Sequence, residues 1–158
     1  MEDANDALIQ RFYAAFAARD GETMAACYAP DATFSDPVFT DLRGEEPGAM
    51  WRMLTGQATD LRVELGDHGA DDAARTGHAD WTAHYTFSQT GRRVTNHVRA
   101  TFRFDADGLF AEHDDAFSFH AWARQALGTK GLLLGWTPVV RGAVRRRARE
   151  NLERFMAS

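Results

Sequence analysis

"IQRFYAAFAARDGETMAACYAPDATFSDPV", residues 9–38, changes its hydrophobic period part-way along, and the change decides the fold. It opens inside a helical segment. Over residues 4–18, Leu8, Phe12, Ala15 and Phe16, with Ile9 and Tyr13, fall on adjoining helical positions and give an amphipathic face. "RDG" at 19–21 stops that helix, and a short second helix is predicted over 22–29, ended by Pro30. "ATFSD" then alternates, Ala32, Phe34 and Asp36 on one side and Thr33 and Ser35 on the other, as a half-buried strand does. Asp36 therefore shares a face with Phe34, yet it stands directly before Pro37, which favours extended backbone and a chain leaving its strand. Two readings are open: a turn residue, or a carboxylate aimed into a cavity.

Downstream, "EEPGAMWRMLT" (45–55) predicts a third helix with Met50, Trp51 and Leu54 on its apolar side. After residue 58 the period becomes 2. Strands are predicted near 60–67, 75–88, 92–104 and 109–119, separated by "HGADDA", "QTG" and "DADG", turn chemistries suited to hairpins. Such short connections require antiparallel neighbours, so the second half reads as a meander. Helices followed by an antiparallel sheet make an α+β domain. The tail, "WARQALGTKGLLLGWTP" (122–138), predicts a helical turn or two and a glycine-punctuated apolar loop. A last helix over 139–157 carries the stripe Val140, Val144, Ala148, Leu152, Phe155.

The 158 residues suit one domain with a single core, taken as 1–158 with a core about 5–119 and a helical extension 120–158. Eleven Phe, four Trp and three Tyr promise a large apolar interior. No apolar run reaches membrane-spanning length and the first residues are acidic, so neither a membrane span nor a secretory signal is expected, and the expected location is cytoplasmic. A lone cysteine, Cys27, agrees with that and reads as small core filler. The net charge of −5 hides an asymmetry: residues 138–158 carry +4 and the rest −9, which disfavours a nucleic-acid footprint over the main body. "RRRAR" (145–149) reads as the solvated face of the last helix rather than an RNA or lipid site. There is no glycine-rich phosphate loop and no Cys/His metal spacing, so no cofactor is expected.

Strand alternation assigns faces. In residues 75–88, Ala79, Trp81, Ala83, Tyr85 and Phe87 form the apolar set that should meet the helices, and His78, Asp80, Thr82 and His84 point away. In 92–104, Val94, Asn96, Val98, Ala100, Phe102 and Phe104 face inward, with Asn96 the polar exception. In 109–119 the inward set chosen by Leu109, Phe117 and Phe119 also contains His113 and Asp115. A bulge would shift any of these sets by one residue. Asp36, Asn96, His113 and Asp115 are thus delivered to one apolar face, where an unpaired polar group costs on the order of 1–3 kcal/mol, so they should pair with one another or line a pocket.

The 9–38 stretch followed by a curved meander resembles the nuclear transport factor 2-like superfamily, with its SnoaL-like polyketide cyclases, ketosteroid isomerase and limonene epoxide hydrolase. The resemblance covers about residues 5–119 and implies a cystatin-like cone, N-terminal helices packed on a curved antiparallel sheet, with residues 120–158 as a C-terminal helical extension that could lid the open end or clasp a partner. It implies that Asp36 in "FSDPV" matches the isomerase general base. The isomerase's oxyanion donors are not reproduced: the family tyrosine falls on Phe12, with Tyr13 on the wrong side of the helix turn, and the family aspartate falls on Ala100. The epoxide hydrolase's Asp-Arg-Asp set is weaker still, because the inward side of 75–88 offers Ala79 and Trp81. A SnoaL-like cyclase asks only for an aspartate acid/base, here Asp115 or Asp36, and a hydrophobic pocket.

The expectation is therefore an acid/base isomerase or cyclase acting on a small lipophilic carbonyl compound, with Asp36, His113 and Asp115 catalytic and Trp51, Trp81, Tyr85, Asn96, Phe102 and Phe117 lining the substrate pocket. The competing reading is a non-catalytic ligand-binding or dimerisation module of the same fold. His113 and Asp115 could pair through a neighbour or both reach a ligand, and Asn96 could satisfy backbone or a carboxylate. His78, His84, His97 and Asp80 share the outer face, which is expected to meet a second copy in a homodimer rather than bind a metal.

Overall fold

A computed structural model describes residues 4–129 and 137–158. Helix α1 (Ala4–Ala17) buries Ile9, Phe12, Tyr13, Ala15 and Phe16, the stripe expected from its period. Each residue of "RDG" has its own part in ending it. Arg19 takes a left-handed conformation (φ 57°) while Asp20 N–H returns to the Ala15 carbonyl at 2.8 Å. Asp20 then caps α2 (Gly21–Ala26), its carboxylate accepting from the Thr23 N–H at 3.1 Å and the Thr23 hydroxyl at 2.6 Å. Gly21 lies so close to α3 (Glu46–Gln57) that a Cβ there would stand 2.8 Å from Arg52 Cα, so this crossing requires glycine.

Helix α2 is shorter than the sequence reading. Strand β1 (Tyr28–Ser35) begins where a helix to residue 29 was expected, because Tyr28 pairs with Phe110 and the Phe110 N–H reaches the Cys27 carbonyl at 2.9 Å. Pro30 sits where the β1 register shifts, a place that tolerates its missing N–H. After the two-residue β2 (Leu42–Arg43) and α3, the chain runs the meander β3 (Arg62–Asp71), β4 (Thr76–Phe87), β5 (Arg92–Phe104) and β6 (Phe110–Ala116). "HGADDA" is not the first hairpin turn: β3 passes an irregularity between Leu65 and His68 and continues to Asp71.

The six strands lie in the order β2-β1-β6-β5-β4-β3 and form a curved, unclosed sheet. All neighbours are antiparallel except β1 and β6, which run parallel. β6 also ends before the expected residue 119, since Ser118 caps helix α4 (Phe119–Leu127) by accepting the Ala121 N–H at 3.1 Å. The loop expected after it lies, over 130–136, outside the described residues. Helix α5 (Pro138–Ala157) buries Ala148 and Leu152 of its expected stripe, and Val140 and Val144 pack on α4, but Phe155 is 37% exposed. Helices α1 to α3 cover the inner face of the sheet, and α5 is tied to α3 by the Arg149–Glu46 ion pair. This is the α+β cone with a C-terminal helix.

Candidate functional site

Register brings the polar interior residues into rows. Phe102 on β5 stands opposite His113 on β6, which stands opposite Phe34 on β1. In the next inward row Ala79, Ala100 and Asp115 lie side by side, and the β1 register carried past Phe34 sets Asp36 next to Asp115. A small residue opposite Asp115 leaves its carboxylate room. His113 and Asp115 point inward as read, although a bulge at Arg103/Phe104 puts Phe110 in the core in place of Leu109 as the face marker.

Asp36 is both things the sequence allowed. Its Oδ1 accepts the N–H groups of Val38 (2.7 Å) and Phe39 (2.5 Å), and its own N–H bonds the Phe39 carbonyl, which makes the turn that leaves β1. Its Oδ2 has no hydrogen-bond partner among the described residues and is not sealed in. Burial pushes the carboxyl up to about 7, the Phe39 N–H opposes this, and the charge of Asp115 adds to it. Arg145 of α5, whose Nε donates to the Pro37 carbonyl at 2.9 Å, pulls the value down slightly.

Behind Asp36 runs a buried hydrogen-bonded chain. Trp51 Nε1 donates to the Tyr28 hydroxyl at 2.7 Å, Tyr28 meets His113 Nδ1 at 2.7 Å, and His113 Nε2 meets Asp115 Oδ1 at 2.8 Å. An indole can only donate, so the arrangement that satisfies every group has Tyr28 O–H donating to Nδ1 and the histidine proton on Nε2 facing Asp115. Aromatic rings pack the imidazole on all sides, Phe102 at 4.4 Å and Phe34 at 4.9 Å between centroids. Burial pushes the phenols of both Tyr28 and Tyr13 up.

The predicted wall divides. Asp36, Asp115 and Phe117 border an open pocket of about 420 Å³, whose other lining residues (Ser35, Pro37, Arg99, Thr101, Asp114, Ala116) belong largely to the outward set. Trp51 and Phe102 are core around His113, not wall. Asn96 is half-buried on the inner face, and among the described residues its amide makes no hydrogen bond. Tyr85 is half-buried and accepts the Trp122 indole N–H at 2.8 Å. Trp81 is buried against Tyr13 and Phe16, and both the Trp81 indole N–H and the Tyr13 hydroxyl are sealed without a partner among the described residues. Tyr13 thus faces inward with the rest of the α1 stripe, its ring set against Trp81. Because its hydroxyl meets no acceptor, Tyr13→Phe is expected to keep or raise stability by up to about 1 kcal/mol in urea denaturation; a loss of that size would show the hydroxyl to be bonded.

Phe12 is fully buried and Ala100 pairs with Asp115, so the isomerase's two donor positions carry no donor. Arg99 belongs to the outward set, is half-exposed and is paired with Asp80 at 2.9 Å. The outer histidines also pair across strands, His84 with Glu64, His78 with Asp67 and His97 with Thr82. No group of three metal-ligating side chains occurs among the described residues. The thiol of Cys27, bonded to the Thr23 carbonyl, is pushed up to about 11 by burial and so is no nucleophile at neutral pH. No described helix is long and apolar enough to cross a membrane.

Sequence reading missed Tyr28, assigned to a helix, and Trp122. The alternation that places Ala32 and Phe34 inward does not run back to Tyr28, because the β1 register shifts between Tyr28 and Thr33 and leaves Pro30 and Asp31 both exposed, so the period carried no signal for it.

The family profile for a SnoaL-like domain matches residues 9–113. No curated protein matches the chain. Among solved structures the chain is similar to a nuclear transport factor 2-like protein of unknown function from Burkholderia pseudomallei, at 18% identity and TM-score 0.66, covering 78% of this chain and 98% of that one. It is also similar to a provisionally named polyketide cyclase from Xanthomonas campestris (20%, TM-score 0.65, 77% and 96%) and to a limonene epoxide hydrolase-like epoxide hydrolase of M. tuberculosis (22%, TM-score 0.62, 87% and 95%). At such identities these structures speak to the fold, and it is the profile match over two-thirds of the sequence that makes this chain a member of the SnoaL-like domain family.

Proposed function

We propose that the protein is an acid/base isomerase or cyclase of a small lipophilic carbonyl compound, with Asp36 as the group that moves the proton. The observation that carries this reading is the state of Asp36. One oxygen is fixed by the turn, the other is unclaimed, and a carboxyl near 7 is divided between acid and base at neutral pH. Such a group takes a proton from the carbon beside a carbonyl and returns it elsewhere. With return to another carbon the outcome is isomerisation; with attack of the enolate carbon on a second carbonyl it is ring closure. His113 holds Asp115, and Asp115 raises Asp36 by its charge.

Residues 1–158 act here as one domain, and the lone thiol fits the reducing cytoplasm. The outer face, with its cross-strand polar pairs, would meet a second copy in a homodimer. The aromatic filling around His113 favours one rival, a binding or dimerisation module without chemistry.

The two readings separate on proton exchange. β,γ-Unsaturated ketones and aryl diketones in deuterated buffer, followed by proton NMR, should exchange their α-protons with a rate inflecting near pH 7. Asp36→Asn should lower kcat about 100-fold or more with little change in KM. Equal exchange by parent and variant across the panel would leave the binding module.

A further inference from the structure

Proton abstraction beside a carbonyl needs a donor for the oxygen on which charge develops. The inherited donor positions, Phe12 and Ala100, supply none, so the donor must come from elsewhere. Tyr85 projects from β4 onto the inner face and is half-buried. Its oxygen accepts the Trp122 indole N–H at 2.8 Å. Since an indole only donates, this bond occupies a lone pair of Tyr85 and leaves its phenolic proton for another acceptor, and none is present among the described residues. The bond also orients the hydroxyl.

Trp122 lies on α4, beyond the family match at 9–113. Helix α4 is fixed to β5 by Gln125, whose side chain accepts the Thr95 N–H at 2.8 Å and donates to the Thr95 carbonyl at 3.0 Å. Phe119, Trp122, Ala123 and Ala126 pack there on Val94. Tyr85 pairs with Val94 and Ala83 with Asn96, which makes Tyr85 and Asn96 diagonal neighbours on the inner face, about 7 Å apart at the backbone. The Asn96 amide is also without a partner among the described residues, and the charge of Asp36 acts on Tyr85. Two unclaimed donors therefore stand on neighbouring positions of the inner face, and Tyr85 lies near enough to Asp36 to feel its charge.

We propose that Tyr85, oriented by Trp122 of the extension, donates its phenolic proton as a hydrogen bond to the carbonyl oxygen of a lipophilic ketone, that the Asn96 amide donates the second bond, and that the carbon beside the carbonyl faces Asp36. This rests on the carbonyl-chemistry reading above and gives the extension a role: Trp122 is a positioning residue and Tyr85 the group that touches substrate. The phenol keeps its proton at neutral pH, since burial pushes Tyr85 up to about 12.

The test is binding, not turnover. Acetophenone labelled with carbon-13 at the carbonyl is titrated into the full chain at pH 7, and the carbonyl resonance is followed. The parent should show saturable binding with a downfield carbonyl shift. Tyr85→Phe should abolish most of that shift and weaken binding about 10-fold, the worth of one hydrogen bond. Trp122→Phe should reduce the shift partially, and Asn96→Ala should weaken binding several-fold. Thermal melts run beside the titrations separate the alternative that Tyr85 and Trp122 only dock α4. That role lowers the melting temperature of both variants and leaves the carbonyl shift at the parent value, which overturns the proposal, as does a parent that binds no acetophenone at millimolar concentration. Binding with the expected shifts but no proton exchange on any ketone would uphold the donor assignment and fail the catalytic one.

Discussion

Asp36→Asn is expected to be more stable than the parent at pH 8, by about 2–4 kcal/mol, and equal to it at pH 3. The sign follows from the titration. The folded carboxyl releases its proton near 7 and the unfolded one near 3.8. Below the lower value both states are protonated and nothing is gained or lost. Between the two values the folded chain keeps a proton that the unfolded chain has released, so parental stability falls as pH rises, by about 1.4 kcal/mol per pH unit, until the folded group ionises. The full displacement corresponds to about 4 kcal/mol, and partial solvent access at Oδ2 reduces it. Asparagine keeps the turn, because its Oδ1 accepts the same Val38 and Phe39 N–H groups, and it carries no charge into the neighbourhood of Asp115. Urea denaturation of both proteins from pH 3 to 8 decides it. A variant less stable by about 1 kcal/mol at every pH would mean that the carboxylate serves the turn alone, and a residue held at no cost to the fold loses the main argument for chemistry.

That the turn and the buried carboxyl are one residue explains how far the sequence could be read. Alternation placed Asp36, His113 and Asp115 inward because local sterics set the period of 2, and the second and third hairpins of the meander were legible from the turn residues between their strands, whereas the first turns after Asp71, past most of "HGADDA". The parallel pairing of β1 with β6 was not, since the partners lie some 80 residues apart and nothing in "YAPDATFS" names its neighbour. Face is legible but depth is not. Trp51, Phe102, Trp81 and Tyr85 all looked like pocket wall, and it is the packing of the helices that buries the first three and leaves Tyr85 half-open. Tyr28 was hidden by Pro30, read as a helix stop when it sits at a register shift inside a strand. The indole that orients Tyr85 comes from a segment that the period assigned only to a helical turn or two.

The buried chain behind Asp36 gives the second large effect. His113→Leu is expected to cost about 3–5 kcal/mol in urea denaturation at pH 7. Leucine fills most of the volume among Phe12, Phe34, Phe102 and Phe110, so the loss is polar rather than a cavity. It strips Asp115 Oδ1 of its Nε2–H donor and the Tyr28 proton of its acceptor at the same time, both deep in the core. A group left without its partner there bears the whole cost of losing water. Replacing both ends separates that cost from packing: in His113→Leu with Asp115→Leu the carboxyl is gone, and the double variant should be more stable than the sum of the single losses by about 2 kcal/mol or more. Trp51→Phe, which removes the donor to Tyr28 together with part of a buried ring, should cost about 2–3 kcal/mol. If the two single losses simply add, the chain is a set of independent contacts, and His113 then has no hold on Asp115 through which to tune Asp36. A large coupling instead makes Trp51, Tyr28, His113 and Asp115 one rigid unit. Asp36 would then owe its near-neutral titration to a charge that the core holds in place.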